Sequence, residues 1–423
     1  MQKFKLVFLF ICLLNIYYNN SYTQVNNNNN NTWTSYPSRI KQLDSLISIS
    51  ATYALNPRDY NPKYLENILS NKYVIESSLD SAKADSVVHK IALHFFGELQ
   101  YGNRIPQLAY QGADFTFDKT KLNKLIEQYL HRNKLGDLVT YLNTQSKEVV
   151  WLLKRIQDLL LQKEKINAEK NKTINQYELT LLIKSVNEYR WLHAVKNKFE
   201  KIILVNLPAA NLKMIENKNE IFSMKLVVGK QETPSVPLSS FINEIVVNPY
   251  WNVPRNIAVR EMLPNIIKDQ DYLERNRLEV LNSAYKKINP KSIPWNTIDT
   301  NKFNYYIRQR NGCDNSLGII KLNFDSPFGI YLHDSPEKQL FEYKNRFLSH
   351  GCMRMEKPIQ MAEYLLKNDK AALDSIDFKN CYKNPSTIHV PIKEKVVVLV
   401  WYNRVDFDKK GQIVIYKDVY NYD

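Results

Sequence analysis

Two histidines, a serine, a cysteine and an arginine fall into one pattern: His333, fifteen residues, then Ser349-His350-Gly351-Cys352-Met353-Arg354. The chain holds only 7 histidines and 4 cysteines in 423 residues, so this gathering marks the stretch best suited to chemistry. A thiol attacks as its thiolate, and an unperturbed pKa of roughly 8.5 leaves little thiolate at neutral pH. An imidazole within hydrogen-bond reach removes that limit, provided a third group holds the ring. His333 closes the strand-like run GIYLHD, which puts its ring at a strand end facing a loop. Tyr331, two residues earlier, faces the same side and is a candidate to line the pocket. Gly351 permits the sharp turn that aims backbone N–H groups at one point, as an oxyanion hole requires. Ser349 reads as a turn residue, and His350 either bonds within the site or braces the loop. Arg354 is a candidate to hold a substrate carboxylate bidentately or to sit in a structural ion pair.

Two other chemistries use these residue types. A papain-like site has the cysteine first and the histidine far downstream, the reverse of the order here. A zinc site from His333, His350, Cys352 and His389 would place two ligands one residue apart, unlike the wider separations usual for zinc, and no metal or cofactor is expected.

The elements that position these residues fall into two halves. From residue 37 to 195 apolar residues recur at helical spacing, as in Leu43, Leu46 and Ile47, or Leu122, Leu125, Ile126 and Tyr129. Here His89 and His94 stand apart as packing or surface residues, and the charged run Gln162 to Lys172 reads as an exposed helix end or loop. From residue 196 to 423 short β-rich runs take over, including KIILVN, MKLVVGK, EIVVNPYWNVP, LGIIKLNF and VVVLVWYN. Tyr250 and Trp251 on the loop of the third run read as core aromatics, with contact to sugar or peptide as the alternative. Residues 256–309 interrupt this half with a helical, polar insertion, a candidate lid. The expected fold is therefore α+β: an N-terminal helical domain, then a β-rich domain with a helical lid.

Lys3 and Lys5 precede the apolar run Leu6 to Ile16, so residues 1–24 read as a signal peptide cut near Tyr22 to Val25, or kept as an anchor. Residues 25–36, rich in asparagine, read as a disordered linker. Cys313, Cys352 and Cys381 remain after the leader, an odd number that implies a free thiol in an exported protein, with Cys313–Cys381 one of the pairings open. The net charge of +15 is spread along the chain, which suits either residence near an acidic polymer or a plain lysine-rich surface. No nucleic-acid motif is present, and a nucleic-acid partner is not expected.

The motif and its setting resemble the YkuD-type L,D-transpeptidases. The likeness runs through SVNEYRWLHAVKNKFEKIILVNLPAANLKMIE, NPYWNVPRNIAVREMLP, IYLHDSPEKQLF, SHGCMRMEKP and DVYNYD, while YALNPRDYNP and LQYGNRIP resemble the scaffold domain of the family's large periplasmic branch. The resemblance implies a periplasmic enzyme acting on peptidoglycan stem peptides, where Cys352 forms a thioester, releases the terminal D-Ala of a tetrapeptide stem and passes the acyl group on as a 3→3 cross-link. It implies His333 as general base, oriented by the backbone carbonyl of Asp334, and the N–H groups of Gly351 and Cys352 as oxyanion donors, each supplying about 2.7–4 kcal/mol in comparable sites. Carboxypeptidase action, D-amino-acid exchange and non-catalytic wall binding remain open, as do protein partners in wall synthesis; a monomer is expected. Leu152 to Gln176 is short and charged where large relatives often carry a peptidoglycan-binding module.

Overall fold

The structure, a computed structural model, describes residues 33–169, 176–269, 271–369, 371, 386–408 and 410–422. The leader and Cys381 lie outside these residues. Among the described residues seven α-helices come first: α1 Pro37–Ser48, α2 Pro62–Leu69, α3 Ser78–Tyr101, α4 Lys119–His131, α5 Leu135–Asn143, α6 Lys147–Glu169 and α7 Gln176–Lys198. The first five enclose one core, to which Leu43 and Ile47, Phe95 and Phe96, Leu122 and Ile126, and Leu138 contribute from successive helices. Trp33 is also part of it, 2% exposed, and the Thr34 N–H donates to Asp85 at 2.7 Å. The expected linker thus ends before residue 33, because an indole with a core to enter does not stay in solvent. Ser77 caps α3 by accepting the Asp80 N–H, and Gly102 ends it. A Cβ on Gly102 would lie 2.1 Å from the Asn187 carbonyl, so only glycine lets α3 meet α7 this closely.

Strand β1 (Tyr110–Gln111) lies among the helices, and β2 Lys201–Asn206, β3 Asn211–Glu216, β4 Asn219–Gly229 and β5 Leu238–Val247 follow them. After the insertion come β10 Ile320–Phe324, β11 Leu332–His333, β12 Phe347–Ser349, β13 Met353–Met355, β14 Ile388–Pro391, β15 Val396–Trp401, β16 Val405–Phe407 and β17 Ile413–Ile415, with β6 just before the insertion and β7 to β9 inside it. The pairing β5-β10-β11-β13-β4-β3-β2-β15 returns to β5 and closes the sheet on itself. Long β5 makes the closure: its Leu238–Phe241 part pairs with β15, its Ile242–Val247 part with β10. Alternate residues of β2 and β15 separate cleanly. Ile203, Val205, Val398 and Val400 enter the interior, while Ile202, Leu204, Val397, Leu399 and Trp401 pack under α6 and α7. Both faces are buried there, which is why these strands read as unbroken apolar runs. Arg190 ties α7 to the helices before it, its guanidinium donating to the Tyr53 carbonyl at 2.8 Å and to Asn143 at 2.7 Å. Burial pushes the Arg190 pKa down to about 10.

The insertion mixes helix with strand. Besides helical turns at Arg255–Ile257, Ala258–Met262, Leu263–Lys268 and Asp271–Arg275 it carries a small sheet of β6 Trp251–Asn252, β9 Tyr306–Gln309, β7 Leu278–Leu281 and β8 Lys287–Ile288. Its own apolar core explains this, since Ile257, Leu263, Val280, Trp295, Phe303 and Ile307 bury one another. Strand pairing in so small a core satisfies backbone groups that a loop would leave in the apolar interior.

Candidate active site

Strand register assembles the site. His333 on β11 stands opposite Arg354 on β13 and opposite Lys321 on β10. The Met353 N–H donates to the Tyr331 carbonyl at 3.1 Å, continuing the ladder one residue upstream. Side chains alternate along a strand. Tyr331 and His333, Cys352 and Arg354, and Lys321 therefore share one face of the sheet, with Cys352 diagonal to His333.

Behind Cys352 a fixed turn holds the backbone. Gly351 has φ of 112°, a conformation that side chains disfavour. The Ser349 hydroxyl donates to the Cys352 carbonyl at 2.5 Å and accepts the Gly351 N–H at 3.2 Å. Ser235 donates to the Gly351 carbonyl at 2.7 Å, so the turn is clamped from β5's side of the loop as well. The Gly351 N–H, expected to face an oxyanion, is engaged inside the turn.

Cys352 is free and half-buried, whereas Cys313 is disulfide-bonded. Burial pushes the Cys352 thiol pKa up; against this, the backbone N–H and phenol of Tyr331 donate to the sulfur, and Lys321 and Arg354 add positive charge. The indole of Trp251, on β6 just before the insertion, hydrogen-bonds the Tyr331 phenol. Burial drives His333 down to about 3, helped by Arg354 and opposed by the carbonyls of Asp334 and Leu317 against its ring. His333 is 4% exposed, and its Nδ1 has no hydrogen-bond partner among the described residues. Both shifts favour the uncharged forms, so a neutral thiol and a neutral imidazole share this face. The Asp334 carboxylate is itself fixed, accepting the Ile319 N–H at 3.0 Å and the Ser335 N–H at 2.7 Å.

The remaining candidates divide. Arg354 is ion-paired to Glu337 and lies 3.4 Å from the Ser335 hydroxyl. His350 turns to the insertion, its Nε2 3.0 Å from Glu261. His389 pairs with Glu244 at 3.0 Å, so the four residues of the zinc alternative are not gathered at one point. Tyr250 takes the guanidinium of Arg308 over its ring at 4.4 Å. Sequence reasoning missed Lys321, though it is the one charged residue in LGIIKLNF and alternation alone places it on a defined face. It also missed Glu261 and the Leu317 carbonyl, for which no local signal exists.

A buried imidazole and a half-buried thiol on one sheet face, the thiol held on a glycine turn, have the residue types that cysteine-based acyl transfer uses. The family model of the L,D-transpeptidase catalytic domain, YkuD, matches residues 200–390, and that of a scaffold domain matches residues 17–151. Residues 200–390 are thus an L,D-transpeptidase catalytic domain, as the motif implied, carried with a helical scaffold domain. A putative L,D-transpeptidase of Haemophilus influenzae is 34% identical over 225 residues, 53% of this chain and 45% of that protein. The chain therefore matches less than half the length of that relative. Among solved structures, an L,D-transpeptidase from Mycobacterium smegmatis aligns at 11% identity and TM-score 0.22 over 48% of this chain and 58% of that one. An Enterococcus faecium L,D-transpeptidase mutant aligns at 12% and 0.22, over 48% and 50% of the two chains.

Proposed function

We propose that the protein is a peptidoglycan L,D-transpeptidase that forms 3→3 cross-links through a Cys352 thioester. The observation that carries this reading is the placing of Cys352 and His333 on one sheet face, with the Nδ1 of His333 buried and unpartnered. Attack of the sulfur on the carbonyl of the third stem residue passes the thiol proton to His333. The N–H of Cys352 takes the oxygen that gains charge, the role that the Gly351 N–H leaves open. Collapse of the tetrahedral species breaks the amide bond, and His333 returns its proton to the departing D-Ala amine. A neighbouring stem's side-chain amine then attacks the thioester, gives its proton to His333, and frees the thiol. The leader-like residues 1–24 support export, and the periplasm is the compartment that holds both the substrate and any wall-synthesis partners.

The test is to incubate the protein with tetrapeptide muropeptides beside a Cys352→Ala control and follow masses. A Cys352-dependent dimer, lighter than two monomers by one D-Ala, is the expected product. Tripeptide monomers alone would make it a carboxypeptidase, exchanged D-amino acids an exchanger. No product, with the wall still bound, would leave a binding protein.

A further inference from the structure

Lys321 has no role in the chemistry above, yet its charge acts on the reacting sulfur. It lies on β10 opposite His333, half-buried, with its ammonium 4.0 Å from the centre of the Tyr331 ring. No carboxylate pairs with it among the described residues. Glu244, the acid nearest in the electrostatic sense, is taken by His389 at 3.0 Å and by Asn323 at 2.5 Å. Two cations act on Cys352, Lys321 and Arg354. Arg354 is already neutralised by Glu337, so Lys321 alone brings an uncompensated charge to the pocket. A half-buried ammonium without an anion is costly to keep, which burial registers by pushing its pKa down. Such a cost is met when an anionic ligand supplies the partner.

We propose that Lys321 is the carboxylate-binding group of the donor subsite, its ammonium receiving the terminal carboxylate of the stem, on the D-amino acid that leaves. The assignment rests on the transpeptidase reading for the identity of the donor. Connectivity selects this carboxylate: it is separated from the scissile carbonyl by one amide nitrogen and one α-carbon, so the cation beside the sulfur is within its reach. The other acidic groups of a stem lie farther along the chain or at the end of a side chain. Lys321 and Tyr331 would then act together, the ring closing one side of the ammonium and leaving the other to the ligand. An enzyme built this way requires a free terminal carboxylate and reads past stems that lack one.

The test compares binding of a tetrapeptide stem and its terminal carboxamide, by calorimetry, to full-length protein carrying Cys352→Ala. The acid is expected to bind about tenfold tighter or more, as a charge-assisted hydrogen bond gives. Adding Lys321→Met should weaken the acid alone and bring the two ligands within about twofold, and Lys321→Arg should restore part of the difference. Equal binding of acid and amide by the protein that keeps Lys321 would overturn the proposal, even where the Met variant fails to fold. So would selectivity that survives in a folded Met variant, or an acid that does not bind. Turnover of the stem by the unaltered protein is read separately. Turnover without acid selectivity sinks this assignment only, and selectivity without turnover sinks the transpeptidase reading only.

Discussion

His333 is held neutral by burial, and that state has consequences that can be measured. Its pKa is near 3 in the fold against 6.5 for an exposed imidazole. Between those values the unfolded chain binds a proton that the native state refuses, so stability is full above about pH 6.5 and declines as pH falls toward 3. The slope is at most about 1.4 kcal/mol per pH unit. His333→Gln should flatten this part of the acid limb, read as the difference between urea melts at pH 7 and pH 4, and should slow acylation about 10²–10⁴-fold. An unchanged acid limb would show that the ring is protonated in the fold. Tyr331 makes the complementary case: its phenol and backbone N–H favour the thiolate against burial. Tyr331→Phe should therefore raise the thiol pKa, seen as slower iodoacetamide alkylation of Cys352 at neutral pH and a rate curve displaced to higher pH.

At the scale of elements, a glycine turn and the insertion meet next to Cys352. Gly351→Ala meets no hard clash, since the nearest atom to a new Cβ is 3.5 Å away, but it forces alanine to φ of 112°. The strain is on the order of 1–3 kcal/mol, so the melting temperature should fall by a few degrees while acylation drops further, because the Cys352 backbone moves with the turn. The contact with the insertion behaves oppositely. His350 and Glu261 are 35% and 52% exposed, and such a pair is worth at most about 1 kcal/mol. Glu261→Gln should leave the melt almost unchanged yet speed hydrogen exchange over residues 255–268. These elements also show what the sequence could carry. Cys352, His333 and Tyr331 were legible because motif spacing and alternation are local properties. Lys321 was legible in principle, from alternation in a strand already recognised, but needed the β10–β11 register to acquire a neighbour. Glu261 was not, because its contact with His350 spans 89 positions. The insertion's sheet was hidden for a related reason: its strands are two to four residues long, too short for a period to show.

At the scale of the molecule, the two halves share a core, and the boundary of the catalytic domain in sequence is not the boundary of its packing. Ile202, Leu204, Ile215, Val397, Leu399 and Trp401 lie on the sheet face opposite the interior and are covered by residues of α6 and α7, among them Leu152, Ile156, Leu182, Val186 and Trp191. Uncovering an apolar side chain of this size costs about 1.5–3 kcal/mol, so six of them amount to roughly the whole stability of an ordinary domain, about 5–15 kcal/mol. A fragment beginning at residue 200 should accordingly be poorly soluble or should bind hydrophobic dye without a cooperative melt. A fragment beginning at residue 147, which keeps both covering helices, should recover a cooperative transition and alkylate at Cys352. It still exposes the Arg190 side of α7, where partners Tyr53 and Asn143 are lost, and should melt below the full chain. Circular dichroism melts and size-exclusion profiles of the three proteins decide the matter. A cooperative, monomeric fragment from residue 200 would mean that the sheet closes its outer face without help, and that the helical half is an appendage to the chemistry. Failure of that fragment together with success of the longer one would make α6 and α7 part of the catalytic unit, whatever their place in the chain.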